Sequence, residues 1–168
     1  MRILIATHKT WNIDRANVLI KNESQHDIRL VTTKDELTPE FVESFEPDFI
    51  FFPHWSYYIP ESIYEKWKCV VFHMTDLPFG RGGSPLQNLI VRGVKNTKIS
   101  AIRVVSELDA GPIFIKEDLS LAGAAHEIYD RASAIIFDKM IPRIINENIV
   151  PKEKVSSDSL DKNELALY

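Results

Sequence analysis

His73 and Asp109 are the two residues whose chemistry and positions together suggest acid–base catalysis. His73 directly follows an apolar run at 68–72 that predicts a buried strand, and a loop rich in glycine and proline comes after it. Asp109 follows a second apolar run, at 99–105, within the sequence Ser-Glu-Leu-Asp-Ala-Gly-Pro. Sites in open α/β sheets lie outside the carboxyl ends of the strands, so we predict that the two side chains meet across a cleft.

Both residues also have a structural interpretation, because a histidine can be a satisfied core residue and an aspartate can cap a turn. The strand-end position favours function for His73. For Asp109 the two interpretations are balanced until its pairing with His73 is considered.

The loop at 77–84 contains Gly80, Gly82 and Gly83, which allow a backbone to approach a ligand closely. The loop does not match the glycine motifs that bind phosphate. Arg81, within it, either binds an anion or supports the loop, and support is favoured.

A dense aromatic segment at 52–60, Phe-Pro-His-Trp-Ser-Tyr-Tyr-Ile-Pro, follows a third apolar run. Aromatic rings at a strand end suit a flat ligand, and they equally suit a hinge that buries the next helix. Both interpretations stay open.

Composition narrows the function classes. The 168 residues are 45% apolar and 26% charged, which is ordinary for one globular domain. A net charge of -4 argues against a nucleic-acid partner. No apolar run is long enough for a signal peptide or a membrane span, so we expect a cytoplasmic protein without a membrane partner.

Metal and thiol chemistry are not expected. The single cysteine, Cys69, lies among apolar residues, which predicts an inert buried thiol rather than a nucleophile. The histidines outside these segments, His8, His26 and His126, lack metal-ligand spacing with any cysteine or acidic cluster.

Apolar runs alternate with amphipathic stretches, which predicts a Rossmann-like α/β fold: a mostly parallel sheet with helices on both faces. We predict one domain at 1–150 and a polar tail at 151–168, either frayed or a small appendage, with disorder favoured. The helix at 11–22 should turn Trp11, Ala16, Val18 and Leu19 inward. The predicted strands lie at 2–7, 27–32, 48–52, 68–72, 99–105 and 112–116, and the helices at 11–22, 38–44, 60–67, 84–92 and 123–149.

Two ordered motifs resemble the formyltransferases that depend on 10-formyltetrahydrofolate. The segment VVFHMTDLPFGRGGSPLQNLI resembles their first signature, and SELDAGPIF resembles their Leu-Asp-x-Gly signature. The resemblance covers roughly residues 1–148 and implies a formyltransferase-type fold, 10-formyltetrahydrofolate as cosubstrate, and catalytic roles for His73 and Asp109. It implies cofactor-binding roles for His54, Trp55, Ser56, Tyr57, Val105, Ser106, Glu107 and Leu108. In the same loops we expect substrate binding by Thr75, Asp76, Gly80, Arg81 and Gln87.

The chain departs from the family at two places. The family places an asparagine, which helps hold the formyl oxygen, two residues before the histidine, and this chain has Val71 there. Either Gln87, Ser56 or His54 replaces that donor, or His73 acts alone as an imidazolium, or the enzyme is weak. The family's Ser-Leu is also replaced, by Thr75-Asp76, and a carboxylate beside the histidine could bind an amine or raise the histidine pKa.

The expected acceptor is a small amine. Methionyl-tRNA and most sugar formyltransferases have a further carboxyl-terminal domain, whereas this chain resembles short sugar N-formyltransferases of the pseudaminic-acid type. An amino sugar or sugar nucleotide is therefore the expected substrate. The alternatives are a formyltetrahydrofolate hydrolase, with water as the nucleophile, and a folate- or sugar-binding module without catalysis.

Overall fold

A six-stranded sheet organises the molecule, in the order β2-β1-β3-β4-β5-β6. The computed structural model describes residues 1–153, so residues 154–168 of the predicted tail lie outside the described residues. Strands β1 to β4 pair in parallel, while β5 is antiparallel to both β4 and β6. The strands are β1 Arg2–Ala6, β2 Asp27–Val31, β3 Phe49–Phe52, β4 Cys69–His73, β5 Asn96–Arg103 and β6 Ile113–Ser120.

Helices cover both faces of the sheet, which confirms the predicted fold class. Residues Ile3 and Ile5 of β1 pack into a core formed with α1, α4, α5 and α6, whereas Leu4 and Ala6 pack on the opposite face against α2 and α3. The alternation follows from the two-residue period of a strand. The helices are α1 Thr10–Asn22, α2 Pro39–Phe45, α3 Glu61–Tyr64, α4 Pro85–Val91, α5 Ala125–Ile135 and α6 Ile141–Asn146, with a 3₁₀ turn at Lys34–Glu36.

Local signals set the ends of two helical segments. Thr38 caps α2 by accepting a hydrogen bond from the backbone N–H of Phe41, and Pro39 follows at the first helical position. The long helix predicted at 123–149 is interrupted by a π-helical turn at Ile136–Met140, just before Pro142. Proline lacks the N–H that a continuous helix would use there, so the chain restarts as α6.

Helix α1 differs from its predicted orientation. Ala16 and Leu19 are buried as expected, but Trp11 and Val18 are 42% and 57% exposed. Asn12 is buried instead, because its amide joins polar groups at the ends of β1 and β3.

Because β5 is antiparallel to β4, the chain reaches Asp109 by a different path from the one predicted. In the β4–β5 register, Arg103 pairs with Val70 and Ser100 pairs with His73, so β5 ends at the edge opposite His73. The connection at 104–112 turns back towards His73 before β6 begins. Gly111 permits this turn, since a Cβ there would lie 1.7 Å from the carbonyl oxygen of Arg103. After α6, the chain returns to the sheet, where Lys152 forms a bridge with Ile113.

None of the helices among the described residues is both long and apolar enough to cross a membrane. Within residues 1–153, no group of three or more His, Cys, Asp or Glu side chains is placed to hold a metal ion.

Candidate active site

His73 lies at the carboxyl end of β4 with only 7% of its surface exposed. Its Nε2 lies 2.6 Å from the carbonyl oxygen of Gly80. Since a carbonyl only accepts hydrogen bonds, Nε2 carries a proton. The other ring nitrogen, Nδ1, faces Oδ1 of Asp109 at 3.6 Å, which is an ion-pair contact slightly longer than a hydrogen bond. The two predicted residues therefore do meet.

Asp109 is held by the same glycine loop that contacts His73. The backbone N–H of Gly82 donates to Oδ2 of Asp109 at 2.8 Å. Asp109 itself has a left-handed backbone, with φ 54°, which aspartate tolerates better than most residues. This turn directs the carboxylate at the imidazole. A buried carboxylate beside a histidine orients the ring and stabilises its protonated form.

Arg81 ties the glycine loop to the connection at 104–112. Its Nε donates to the carbonyl oxygen of Leu108 at 3.0 Å, and its Nη2 contacts the carboxylate of Glu107 at 2.9 Å. Arg81 thus supports the loop, and its role in substrate binding stays a prediction.

Thr75 and Asp76 also make contacts that hold the loop. The Thr75 side chain is buried and its hydroxyl donates to the carbonyl oxygen of Phe79 at 2.6 Å. The Asp76 carboxylate pairs with Lys116 at 2.5 Å. Both side chains thus have partners within the protein, and their contact with substrate stays a prediction.

A first cavity, of about 550 Å³, lies on one side of His73. Seven of the eight residues expected to bind the cofactor line it, together with Val71, Arg103 and Asp109. Those seven are Trp55, Ser56, Tyr57, Val105, Ser106, Glu107 and Leu108. The aromatic rings of Trp55 and Tyr57 pack 5.1 Å apart, so they form a wall of the cavity and also pack on each other.

A second cavity, of about 420 Å³, is also lined in part by His73. It shares Trp55, Ser56, Phe72 and His73 with the first cavity. The eighth predicted cofactor residue, His54, lines this second cavity, as does Gln87. His73 therefore borders both cavities, while its partner Asp109 lines the first.

Lys9, Trp11 and Tyr129 also line the second cavity, and the sequence did not identify them as site residues. Lys9 and Trp11 follow the carboxyl end of β1, the same kind of position that drew attention to His73. Their position after a strand end could therefore have identified Lys9 and Trp11 as site residues. Tyr129 comes from α5, and no pattern in the sequence connects it with the other two.

Burial determines the protonation state of two further side chains, Cys69 and His54. It raises the pKa of the Cys69 thiol to about 12, so the thiol stays protonated and inert. It lowers the pKa of His54 to about 4, with a further contribution from the positive charge of Lys9. His54 is therefore neutral near neutral pH.

The geometry bears on which side chain could replace the hydrogen-bond donor that the family's asparagine supplies and Val71 does not. The Ser56 hydroxyl lies 3.0 Å from Nε2 of His8, and is thus already engaged. The Gln87 side chain is exposed at the second cavity. Nε2 of His54 is buried and has no partner among the described residues.

Comparisons with known proteins place the chain in a family. No family model matches it. Methionyl-tRNA formyltransferase from Rickettsia prowazekii is 30% identical over 131 residues, which cover 75% of this chain and 43% of that relative. The chain thus spans less than half of the length of such curated relatives. Among solved structures, HypX from Aquifex aeolicus in complex with tetrahydrofolic acid (20% identity, TM-score 0.71) covers 93% of this chain and 28% of that chain. A sugar N-formyltransferase from Shewanella (14%, 0.72) covers 94% of this chain and 74% of that chain, and both share the fold.

One solved structure is much more similar. Methionyl-tRNA formyltransferase from Clostridium thermocellum has a TM-score of 0.90 and 56% sequence identity, and the match covers 94% of this chain and 70% of that one. The similarity therefore extends across nearly all of the chain. The chain belongs to the formyltransferase family that includes the methionyl-tRNA formyltransferases.

Proposed function

We propose that the protein transfers a formyl group from 10-formyltetrahydrofolate to a primary amine. The observation that carries this proposal is that His73, paired with Asp109, lines both cavities. A transfer reaction needs separate spaces for donor and acceptor with the proton-transfer group at their junction. The first cavity takes the folate and the second takes the amine.

The chain's residues have distinct roles in this reaction. The neutral amine attacks the formyl carbon, the new C–N bond forms, and the bond from that carbon to the folate nitrogen breaks. His73 takes the proton that the attacking amine loses and donates a proton to the departing nitrogen, so the protons balance. Asp109 holds His73 and stabilises its protonated form. Gly80 releases Nε2 of His73 when the reacting groups enter.

The comparisons support methionyl-tRNA as an acceptor, because the relative with 56% identity is named for that substrate. The expectation that excluded nucleic acid rested on the net charge of -4, which disfavours only a broad RNA surface. An amino sugar remains a second candidate. The aromatic side chains Trp11 and Tyr129 at the second cavity favour it, since sugar rings pack well on aromatic faces.

The rival functions are separated by one assay. Release of tetrahydrofolate from 10-formyltetrahydrofolate is followed with methionyl-tRNA, with free and nucleotide-linked amino sugars, and without any amine. Release that depends on an amine supports the proposal. Release that is equally fast without an amine indicates a hydrolase. Folate binding without release indicates a binding module, the alternative that Val71 favours.

A further inference from the structure

His8 lies where two neighbouring strands of the sheet end together. Strands β1 and β3 pair in parallel, with Ile5 opposite Phe51, so the residues that follow the two strands leave the sheet side by side. The contact continues beyond the strands, since the hydroxyl of Thr7 donates to the carbonyl oxygen of Pro53 at 2.7 Å. His8 is the next residue of the chain, and the topology therefore places it beside the segment that follows Pro53.

Residues 55–57, which we call the aromatic wall, contact His8 at each of their three positions. The backbone N–H of Ser56 donates to Nε2 of His8 at 3.2 Å, and the Ser56 hydroxyl lies 3.0 Å from the same nitrogen. The imidazole centroid lies 5.7 Å from the ring of Trp55 and 5.1 Å from the ring of Tyr57. All three residues of the aromatic wall line the first cavity, whereas His8 lines neither the first cavity nor the second. His8 thus touches the residues that form the cavity.

The aromatic wall has little other support. Within residues 1–153, the contacts of Ser56 with His8 are the only hydrogen bonds that the segment at 55–59 makes, and the buried indole N–H of Trp55 has no partner there. The rings of Trp55 and Phe52 pack 6.1 Å apart, and those of Trp55 and Tyr57 pack 5.1 Å apart. The position of the aromatic wall therefore depends on this ring packing and on one imidazole.

The hydrogen bonds define the charge state of that imidazole. A backbone N–H only donates, so Nε2 of His8 accepts and carries no proton. Protonation of Nε2 would place two donors against each other and break the contact with Ser56. Burial and the positive charge of Lys9 lower the pKa of His8 from its ordinary 6.5. The contact is therefore present at neutral pH and is lost as the pH falls through a value below 6.5.

The groups around His8 do not titrate in its place. The titratable neighbours are Lys9, beside it in the chain, and His54 and Tyr57 on the facing segment. Burial holds the pKa of His54 at about 4, so the charge of His54 changes only in more acidic solution.

We propose that His8 is a positioning residue, whose neutral ring holds the aromatic wall in the shape that receives the molecule bound in the first cavity. The inference rests on the proposed function for the identity of that molecule, which is the folate. His8 itself has no contact with the reacting atoms. Loss of its acceptor nitrogen should therefore weaken folate binding and raise the KM for 10-formyltetrahydrofolate, while kcat at saturating folate changes little.

Two substitutions separate the acceptor nitrogen from the ring. His8→Phe keeps an aromatic ring against Trp55 and Tyr57 but removes the acceptor. His8→Gln carries an acceptor oxygen that does not titrate, at about the same distance along the side chain as Nε2. Tetrahydrofolate should bind the full-length His8→Phe chain about five- to tenfold more weakly than wild type, the scale of one lost hydrogen bond. His8→Gln should bind it within about twofold of wild type, and the KM values should follow the same order.

Acidification adds a result that a merely space-filling residue would not produce. Between about pH 7.5 and about pH 5.5, the wild type should lose more affinity for tetrahydrofolate than His8→Gln, because only the imidazole becomes charged. His26→Gln provides the matched control, since His26 precedes β2 at the opposite edge of the sheet and contacts the amino group of Met1. This variant should bind tetrahydrofolate like the wild type at both pH values.

The backbone amide of Ser56 tests the aromatic wall without any ligand. Its NMR resonance should shift with pH in the wild type, with a midpoint below 6.5, and should not shift in this range in His8→Gln. The inference is overturned if the Ser56 amide follows no histidine titration, if His8→Phe binds tetrahydrofolate as tightly as the wild type, or if His8→Gln binds it as weakly as His8→Phe. A Ser56 amide that follows the titration in a protein that binds no tetrahydrofolate would reject the proposed function and leave the positioning role of His8 standing.

Discussion

His54 should make the protein less stable as the pH falls from about 6.5 to about 4. Its Nδ1 accepts a hydrogen bond from Nδ2 of Asn12 at 2.9 Å, and Nδ2 also lies near the hydroxyl of Thr7 and the carbonyl oxygen of Pro53. The Ser133 hydroxyl donates to Oδ1 of Asn12, which fixes the amide in this orientation. Protonation of Nδ1 would therefore place two donors against each other.

The size of the effect follows from the pKa. Burial lowers the pKa of His54 from 6.5 to about 4 in the folded protein. The unfolded chain then binds a proton first as the pH falls, so stability is complete above about pH 6.5 and decreases down to about pH 4. The shift corresponds to about 3 kcal/mol in total, of which about 2 kcal/mol is lost between about pH 7 and about pH 5.

Urea unfolding at these two pH values tests the reasoning, with His54→Phe as the variant. Phenylalanine keeps a ring of similar size and does not titrate, while Asn12 keeps its contacts with Thr7 and Pro53. The variant should lose about 2 kcal/mol less stability than the wild-type protein between the two pH values. The exposed His126 offers a control, since His126→Phe should follow the wild type. Equal losses in wild type and His54→Phe would refute the account of a buried neutral histidine.

Three further predictions concern the pair His73–Asp109, Val71 in β4, and the connection at 104–112. His73→Ala should lower turnover by about a hundredfold or more, and Asp109→Asn should lower it to a similar extent. Both variants should still bind folate. Near-normal turnover in either variant would show that the replaced residue is structural. Val71→Asn should not raise turnover and should cost about 1–3 kcal/mol of folding free energy in urea unfolding, because the new amide is partly buried; a tenfold gain in turnover would show that the donor is simply missing. Gly111→Ala should lower the free energy of unfolding by about 3 kcal/mol, because its Cβ would lie 1.7 Å from a carbonyl oxygen. Gly83→Ala is the control and should be nearly neutral in the same thermal or urea unfolding measurement, since the space around Gly83 is open. Equal stabilities of the two variants would contradict the close approach at Gly111.

Much of the fold could be predicted because the signals are local. The continuous apolar run of β3 is typical of a parallel strand buried on both faces, and Thr38 with Pro39 marks the start of α2. Strand direction could not be predicted in this way. The period of β5 is the same whether it runs parallel or antiparallel, so the argument that placed Asp109 at the carboxyl edge was wrong about the strand although the pairing with His73 was correct.

The candidate site also combines residues that local signals identify with residues that only tertiary packing brings together. His73 and the residues at 105–108 were identified from loops with distinctive composition and from the family motifs. The second cavity is built from residues distant in sequence, including Lys9 and Tyr129, which tertiary packing brings together. Thr75 and Asp76 were expected to meet substrate because of their position beside His73. The contacts of these side chains within the loop and with Lys116 could not be predicted from sequence, and their contact with substrate stays a prediction.

The most direct test of the central claim follows the formyl carbon itself. Carbon-13-labelled 10-formyltetrahydrofolate is mixed with the protein and an amine that supports tetrahydrofolate release, and the products are identified by mass spectrometry and carbon NMR. The account predicts that the label appears in an amide of the amine, and that His73→Ala forms this amide more slowly by about a hundredfold or more. Label recovered as formate, or an amide formed equally fast by wild type and His73→Ala, would contradict it.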